Sequence, residues 1–342
     1  MRAILLCAGR GLRFRPVTER TPKPLIPFLN VPLAVAHLRR LHEAGVGEVA
    51  VNLHHLGDQI ERHLREQAAN LPDLRFFKEK RILGTAGALR NAAEVLGQDD
   101  FLVVNSDAAI DVDFGSLVSR HRESGRAVTL LVTENRNPKE YTPLQAEGDR
   151  ISAFGVGGPG ALLYTGVCVM APRLLARIPA GETALVADLW QPILDEGREE
   201  LGFVFHQGPH ADLGRPGDFL RASLEALARG GSFPEGSGDF DRRRSVLARR
   251  PPAGFEASES VVGVADVAGG ATIIRSTVWD GVSLGARSRL TECVAARGRI
   301  AAGAHYEKSL LWADNDGDPV DAFPLTGFDG NDHGFQPLSP RR

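Results

Sequence analysis

Leu6-Cys7-Ala8-Gly9-Arg10-Gly11-Leu12-Arg13-Phe14-Arg15-Pro16-Val17-Thr18, continuing to Thr21-Pro22-Lys23-Pro24-Leu25-Ile26-Pro27, is the stretch from which the rest of the chain is read. The apolar run at residues 3–8 reads as a buried strand that enters Gly-x-Gly without a break. Glycines at that point let backbone N–H groups approach a phosphate, because no Cβ stands in the way. Phe14 takes the place of the third glycine of the dinucleotide fingerprint, and no Gly-Lys-Ser/Thr follows, so neither that motif nor a Walker A loop is present. From Arg10 to Lys23 five basic residues (Arg10, Arg13, Arg15, Arg20, Lys23) face one acid, Glu19, in a chain of formal net charge -3. Arg13 as a planar fork and Lys23 as a point charge suit a polyphosphate flanked from two sides. Taken alone, Gly-x-Gly is equally a βα turn with solvated arginines.

Outward from this loop, apolar runs of strand length alternate with amphipathic stretches of helix length. Strands are expected at residues 49–53, 75–78, 101–105 and 128–133, and helices at 33–44, 57–66, 86–96 and 116–123. That alternation predicts an α/β fold with a mostly parallel, Rossmann-like sheet and helices on both faces. The pattern weakens after Glu134 and resumes with a strand at 162–170, a helix at 189–196, a strand at 203–206 and a helix at 218–228. Residues 231–255, with Gly230-Gly231, Arg242-Arg243-Arg244 and Pro251-Pro252, read as a linker. Beyond them Val267, Ile273, Val278, Leu284, Leu290, Val294 and Ile300 recur at spacings of 6, 5, 6, 6, 4 and 6, with small residues between. A period near six with small residues at the corners predicts a short β-helix over 256–312. Residues 313–342 are Gly-, Pro- and acid-rich and are read as an irregular tail.

Composition narrows the function classes. With 43% hydrophobic and 24% charged residues, the 342-residue chain is neither disordered nor collagen-like. Lys plus Arg of 40 against Asp plus Glu of 43 argues against a nucleic-acid or membrane partner. Only five of the basic residues are lysines, which singles out Lys23. Cys7, Cys168 and Cys293 are odd in number, far apart and set among apolar neighbours, so reduced core thiols are expected. The N-terminal apolar run meets Gly9 too soon for a signal peptide's h-region of ~7–15 residues or a membrane span of ~20, and a cytoplasmic protein is expected.

The full string closely resembles the signature of the sugar-1-phosphate nucleotidylyltransferases (NDP-sugar pyrophosphorylases). The match falls on Gly9, Gly11, Arg13, Pro16, Thr18, Pro22, Lys23 and Pro24. Three further windows follow in the family's order. Leu83-Gly84-Thr85-Ala86-Gly87 resembles the turn that lies along the nucleobase and opens a helix. Glu79 stands four residues earlier, either to accept hydrogen bonds from base or ribose or as an exposed carboxylate. Asp107 ends the apolar stretch Phe101-Leu102-Val103-Val104-Asn105-Ser106, where the family has Gly-Asp and the Asp binds Mg²⁺; here Ser106 replaces the glycine. Asp111 and Asp113 are nearby and suit capping or the surface. Asp212 in Asp212-Leu213-Gly214-Arg215-Pro216 resembles the family's second metal ligand, with Arg215 in place of a Thr; a helix cap or turn is its other reading. The sugar side matches less well. Tyr141-Thr142-Pro143 stands where many relatives have Tyr-Gly, the common Glu-Lys-Pro is absent near Phe154-Gly155-Val156, and Tyr164-Thr165-Gly166 resembles the turn that contacts sugar hydroxyls.

The resemblance covers roughly residues 1–230. It implies a glycosyltransferase-A-like catalytic domain with a left-handed β-helix behind it, joining an NTP to a sugar 1-phosphate with release of pyrophosphate. By the same resemblance Ala8, Gly9, Gly11 and Arg13 hold the β- and γ-phosphates, and Lys23 meets the two phosphates that react. Glu79, Gly84 and Thr85 serve the nucleoside, Tyr141, Thr165 and Gly166 the sugar, and Asp107 and Asp212 hold Mg²⁺. The overall look is nearest to mannose-1-phosphate guanylyltransferases. UTP- or dTTP-dependent transfer, for instance to N-acetylmuramate 1-phosphate, remains open. So does a non-catalytic NDP-sugar-binding subunit, although such relatives often lose the lysine or a metal carboxylate. An acyltransferase role for the β-helix needs more coils and a catalytic His, and His305 stands near the end of a short stack. Homo-oligomerisation through the β-helix is compatible with the sequence.

Overall fold

The computed structural model describes residues 1–135, 140–197, 200–230, 239–240, 245–248 and 252–326. Its contacts divide into two compact units, Met1–Arg10 with Ala34–His210, and Gly11–Leu33 with Ala211–Arg342. The chain therefore crosses between units inside the glycine loop itself, and the boundary expected at residue 230 is not the one along which contacts separate.

The first unit is a mixed α/β domain built on nine strands: β1 (Arg2–Leu6), β2 (Glu48–Leu53), β3 (Asp73–Lys78), β4 (Phe101–Asn105), β5 (Val128–Glu134), β6 (Leu144–Glu147), β7 (Arg150–Phe154), β8 (Leu162–Met170) and β9 (Leu201–Phe205). Their order across the sheet is β3-β2-β1-β4-β8-β5-β9-β7-β6. Helices α1 (Leu33–Glu43), α2 (Gly57–Glu66), α3 (Gly84–Asn91) and α4 (Phe114–Ser124) fall where hydrophobic periodicity set them. On α2, Ile60 and Leu64 sit one turn apart and both are buried, as an amphipathic surface helix requires. Asp113 caps α4, its Oδ1 accepting the Ser116 N–H at 2.9 Å.

β1 is an interior strand, with Ile4 registered against Ala50 on one side and Val103 on the other, both neighbours parallel. Buried on both faces, it shows the continuous apolar run expected of such a strand. The expectation of a mostly parallel sheet is corrected beyond β4. β8 runs antiparallel to both β4 and β5, and β6–β7 form an antiparallel hairpin turned at Gly148-Asp149. Apolar composition marks a buried strand but carries no information about its direction.

In the second unit, short parallel strands stack in β-helix-like repeats. Glu256–Ser258 pairs with Thr272–Ile274, that strand with Arg289–Thr291, and that one with His305–Glu307. Successive coils are thus offset by 16 or 17 residues, the steps from Glu256 to Thr272 and from Thr272 to Arg289. Three strands per coil bring this to the spacing near six seen in the sequence. Ile273, Val278, Leu284, Leu290, Val294 and Ile300 are all buried, and Val267 is partly so.

One corner repeats with unusual chemistry. Glu259, Arg275, Glu292 and Lys308 take left-handed backbone at φ 48°, 47°, 53° and 47°, a region uncommon for residues other than glycine. Their side chains form an alternating ladder: Arg275 reaches Glu259 at 3.0 Å and Glu292 at 3.1 Å, and Lys308 lies 3.9 Å from Glu292. Half-exposed pairs of this kind add little stability. The residues just inside them matter more, because they satisfy buried backbone donors. Ser245, Ser260 and Ser276 each accept the N–H of the corner one coil on, at 3.1, 3.2 and 2.9 Å.

Two expectations of irregularity are corrected. Asp239–Phe240 and Val246–Leu247 are strands within the segment read as linker, and Asp321–Pro324 pairs antiparallel with Ser309–Trp312 inside the segment read as tail. The Arg242-Arg243-Arg244 run lies outside the described residues. All three cysteines are free and buried, and burial pushes each thiol up to about 12, so they are unreactive core groups. Among the described residues no helix is long and apolar enough to cross a membrane.

Candidate functional site

The glycine loop is a series of short 3-10 turns, Leu12–Phe14, Val17–Glu19 and Lys23–Leu25. Gly11 is obligatory on two counts. Its φ is +61°, and a Cβ there would lie 2.8 Å from Thr18 Cγ2 and 3.3 Å from Lys23 Cβ. The Thr18 hydroxyl donates to the Gly11 carbonyl at 2.8 Å, closing the loop upon itself. Gly9 differs, since a Cβ on it would meet no protein atom within 4 Å. Packing does not demand glycine at that position.

This folding brings three of the expected residues together within the second unit. Lys23 is buried; its ammonium lies 3.8 Å from Asp212 Oδ1, and Arg13 donates to Asp212 Oδ2 at 3.2 Å. Gly214 completes the arrangement, because a Cβ on it would lie 2.6 Å from the Arg13 guanidinium. Two cations and one carboxylate, drawn from positions about two hundred residues apart, make a preformed cluster, and a pair of neighbouring cations is what a polyphosphate site needs.

The first unit carries the remaining residues. Asp107 lies two residues beyond the end of β4 and is half-buried. Ser106, which replaces the glycine of the resemblance, is buried and donates its hydroxyl to the Leu6 carbonyl at 2.6 Å. The serine thus ties the ends of β1 and β4 together, which explains why the substitution is accommodated. Beneath this turn His37 of α1 bonds the Ala108 carbonyl at 2.9 Å, and burial lowers its pKa to about 4, so it is neutral near pH 7. Asp111 pairs with Arg40 and Asp113 caps a helix, so both have the structural roles left open for them.

Glu79 is buried, and protein groups already engage both of its oxygens. Asn52 Nδ2 donates to Oε1 at 2.8 Å and the Leu83 N–H to Oε2 at 2.9 Å, while Asn52 Oδ1 accepts the Cys7 N–H at 2.7 Å. A buried relay therefore connects the end of β1 to the turn opening α3. Sequence reasoning missed Asn52, whose only signal was a polar residue inside an apolar strand. Asn52→Leu would leave the Cys7 N–H and the Glu79 carboxylate without this partner. It is expected to destabilise the protein by about 2–4 kcal/mol, read as a lower urea midpoint at unchanged slope; an unaltered midpoint would remove the relay's structural importance.

The glycines of the α3 turn answer to backbone packing. Gly84 has φ +72° and a Cβ there would fall 2.3 Å from the Thr183 carbonyl, while one on Gly87 would fall 2.7 Å from that of Gly181. The Thr85 hydroxyl accepts the Leu185 N–H at 3.0 Å. Of the residues that the resemblance assigns to the sugar, Thr165 is buried and its hydroxyl donates to the Leu131 carbonyl at 2.8 Å. Gly166 lies in a bulge of β8 at φ +87°, where a Cβ would meet the Asn105 side chain at 2.9 Å. The Tyr141 carbonyl accepts from Asn135 Nδ2 at 3.2 Å. The resemblance assigned these residues to ligands, and the fold gives several of them local work as well.

Among the described residues no group of three or more His, Cys, Asp or Glu side chains is gathered to hold a metal. Asp107 and Asp212 offer hard oxygen donors, and an ion that completes its shell with phosphate and water needs only one or two such carboxylates.

Comparison with known proteins agrees with this chemistry. The family profile for Nucleotidyl transferase matches residues 2–155. The mannose-1-phosphate guanylyltransferase catalytic subunit beta of Danio rerio is 34% identical over 229 residues, which cover 64% of this chain and 63% of that protein. A mannose-1-phosphate guanyltransferase of Aspergillus oryzae is 31% identical over 242 residues, covering 67% of this chain and 66% of the relative. The chain thus spans a little under two thirds of the length of these relatives. Among solved structures, HddC from Yersinia pseudotuberculosis superposes with a TM-score of 0.57 at 19% identity, over 66% of this chain and 98% of that one. A UDP-glucose pyrophosphorylase from Acinetobacter baumanii gives 0.57 at 18%, over 67% and 94%. At these identities the two structures show a shared fold. With the signature loop and the strands on either side of it falling inside the profile match, residues 2–155 of this chain belong to the nucleotidyl transferase family.

Proposed function

We propose that the protein transfers a nucleotidyl group from an NTP to a sugar 1-phosphate, with GTP and mannose 1-phosphate as the preferred pair. The observation that carries the reading is the Arg13–Asp212–Lys23 cluster, in which Asp212 pairs with two cations of the glycine loop. An oxygen of the sugar phosphate attacks the α-phosphorus and forms the new P–O bond. The bond from that phosphorus to the bridging oxygen breaks, and pyrophosphate leaves with the electron pair. Two anions must be brought together, so the protein's task is positioning and charge neutralisation.

In this reading the backbone at Ala8, Gly9 and Gly11, with Arg13, binds the β- and γ-phosphates. Gly9 supports that role, since neither packing nor a positive φ requires a glycine there. Lys23 bridges the two phosphates that react, and Asp212 holds its ammonium and the Arg13 guanidinium in a fixed relation. Asp107 and Asp212 are the residues that would hold Mg²⁺, which when bound stabilises charge on the α-phosphoryl group. Gly84 and Thr85 present the nucleoside turn, with Glu79 fixing that turn from below. Tyr141, Thr165 and Gly166 serve the sugar, Thr165 and Gly166 through backbone groups. The reading takes residues 1–230 as the catalytic region, of the glycosyltransferase-A kind, and the coil behind it as left-handed.

The guanylyl and mannose preference is supported by the mannose-1-phosphate guanylyltransferases to which the chain is 31–34% identical. Incubation with each NTP in turn against a panel of sugar 1-phosphates, with pyrophosphate release measured, tests both levels. Highest turnover is expected for GTP with mannose 1-phosphate. A different preferred pair replaces the substrate assignment, and no release from any pair returns the chain to a binding role.

A further inference from the structure

The proposed reaction leaves the coil of parallel strands without a part to play. Within the second unit, however, the coil holds the glycine loop at two points on either side of Lys23. Trp279, which follows the strand Thr277–Val278, stacks on Phe14 with ring centroids 6.3 Å apart and meets Phe219 edge-on at 5.7 Å. Phe14 is wholly buried and immediately follows Arg13; Phe219, on the helix Pro216–Ala228, also packs edge-on against it at 5.9 Å.

The second hold lies beyond Lys23. Pro27–Phe28 and Val31–Pro32 form a hairpin whose two turn residues, Leu29 and Asn30, have φ of 49° and 65°. The Asn30 side-chain amide donates to the carbonyl of Val262, a strand residue of the coil, at 3.1 Å. Phe28 seals the hairpin against Phe219 at 6.1 Å. The loop between these holds consists of 3-10 turns, whose hydrogen-bond geometry is poorer than an α-helix's. Such a segment does not fix a cation to the fraction of an ångström that phosphoryl transfer demands.

We propose that the coil is a positioning element for catalysis, with Trp279 and the Val262–Asn30 hydrogen bond clamping residues 11–33 so that Arg13 and Lys23 are held in place before substrate arrives. Trp279 and Asn30 are positioning residues, acting through Phe14 and the hairpin. The proposal rests on the nucleotidyl-transfer reading, and its test keeps the two separable. The full-length variants Trp279→Leu, Trp279→Phe and Asn30→Ala are compared with the parent protein by hydrogen–deuterium exchange and by pyrophosphate release.

Trp279→Leu and Asn30→Ala are expected to accelerate exchange in peptides from residues 11–33 while β4 peptides exchange as before. Turnover should fall about 10- to 100-fold, the cost of misplacing a catalytic group by about 1 Å, with KM for the sugar phosphate changed less. Trp279→Phe, which keeps an aromatic ring against Phe14, should return turnover to within a few-fold of the parent. Unaltered exchange in 11–33 for both Trp279→Leu and Asn30→Ala would overturn the proposal. Equal acceleration across the whole chain would overturn it too, because the coil would then support the fold and nothing more specific. A parent protein that releases no pyrophosphate from any substrate pair removes the reaction and leaves the exchange result readable.

Discussion

Lys23→Ala is expected to lower pyrophosphate release by about 10³-fold while the protein keeps its fold. The ammonium is buried, 3.8 Å from Asp212 Oδ1, on a loop closed by the Thr18–Gly11 hydrogen bond. As the charge proposed to span the attacking and departing phosphates, it matters most where negative charge is shared between them. The fold should tolerate its loss because Asp212 retains Arg13 as a partner at 3.2 Å, so no buried charge is left bare. Lys23→Arg should rescue poorly. A guanidinium is a planar fork rather than a point charge, and Pro22 and Pro24 flank the site on either side. Circular dichroism and a thermal melt establish the fold, and single-turnover kinetics with saturating NTP isolate the chemical step. A folded Lys23→Ala protein with near-parental turnover would dismiss the residue from catalysis.

The second large effect is expected at Asp212. Asp212→Asn keeps the side chain's size but removes the charge that holds Arg13 and Lys23 together, and weakens a hard oxygen donor. Turnover should fall about 10²- to 10³-fold, with a smaller change in KM for the sugar phosphate, which the resemblance assigns to other residues. Stability should fall as well, because the buried Lys23 ammonium loses the charge of Asp212, whereas the pair with half-exposed Arg13 is screened by solvent and adds little to the loss. Asp212→Glu separates two aspects of the role. It restores the charge but displaces it by about one carbon–carbon bond, so turnover between the parent's and that of Asp212→Asn shows that position matters as well as sign. Equal turnover for Asp212→Asn and the parent would reduce the carboxylate to a turn residue.

How much of this was legible differs by element, for physical reasons. β1 and β4 were readable because strands buried on both faces are continuous apolar runs, and α2 because its apolar residues recur at helical spacing. The β6–β7 hairpin went unread. It lies where Gly, Pro and charge interrupt the periodic pattern, and only Gly148-Asp149 between two short alternating stretches marked the turn. The coil was legible from its period near six, whereas the corner residues with left-handed backbone were not, since Glu, Arg and Lys carry no such signature.

The site shows the same division. Gly11, Arg13, Lys23 and Asp212 could be named in advance because their types and order form a recognisable string. Asn52, Asn30 and Trp279 could not, because each acts through neighbouring residues and looks ordinary in sequence. Glu79 was named, yet its hydrogen bonds to Asn52 and to Leu83 make it a support for the turn that opens α3. Thr165 likewise spends its hydroxyl on the Leu131 carbonyl. Residue type announces what a side chain can do, while its nearest donor or acceptor decides what it does.

By itself the sequence determined the types of the strongly periodic elements, the repeat of the coil and the identity of the charged loop, because local periodicity and short-range spacing encode all three. Only the tertiary structure decided that β8 runs against its neighbours, that Asp212 stands beside Lys23, and that the loop packs with the coil. Strand direction and long-range pairing depend on where the chain returns in space, which the burial of an entire unit settles and no local stretch records.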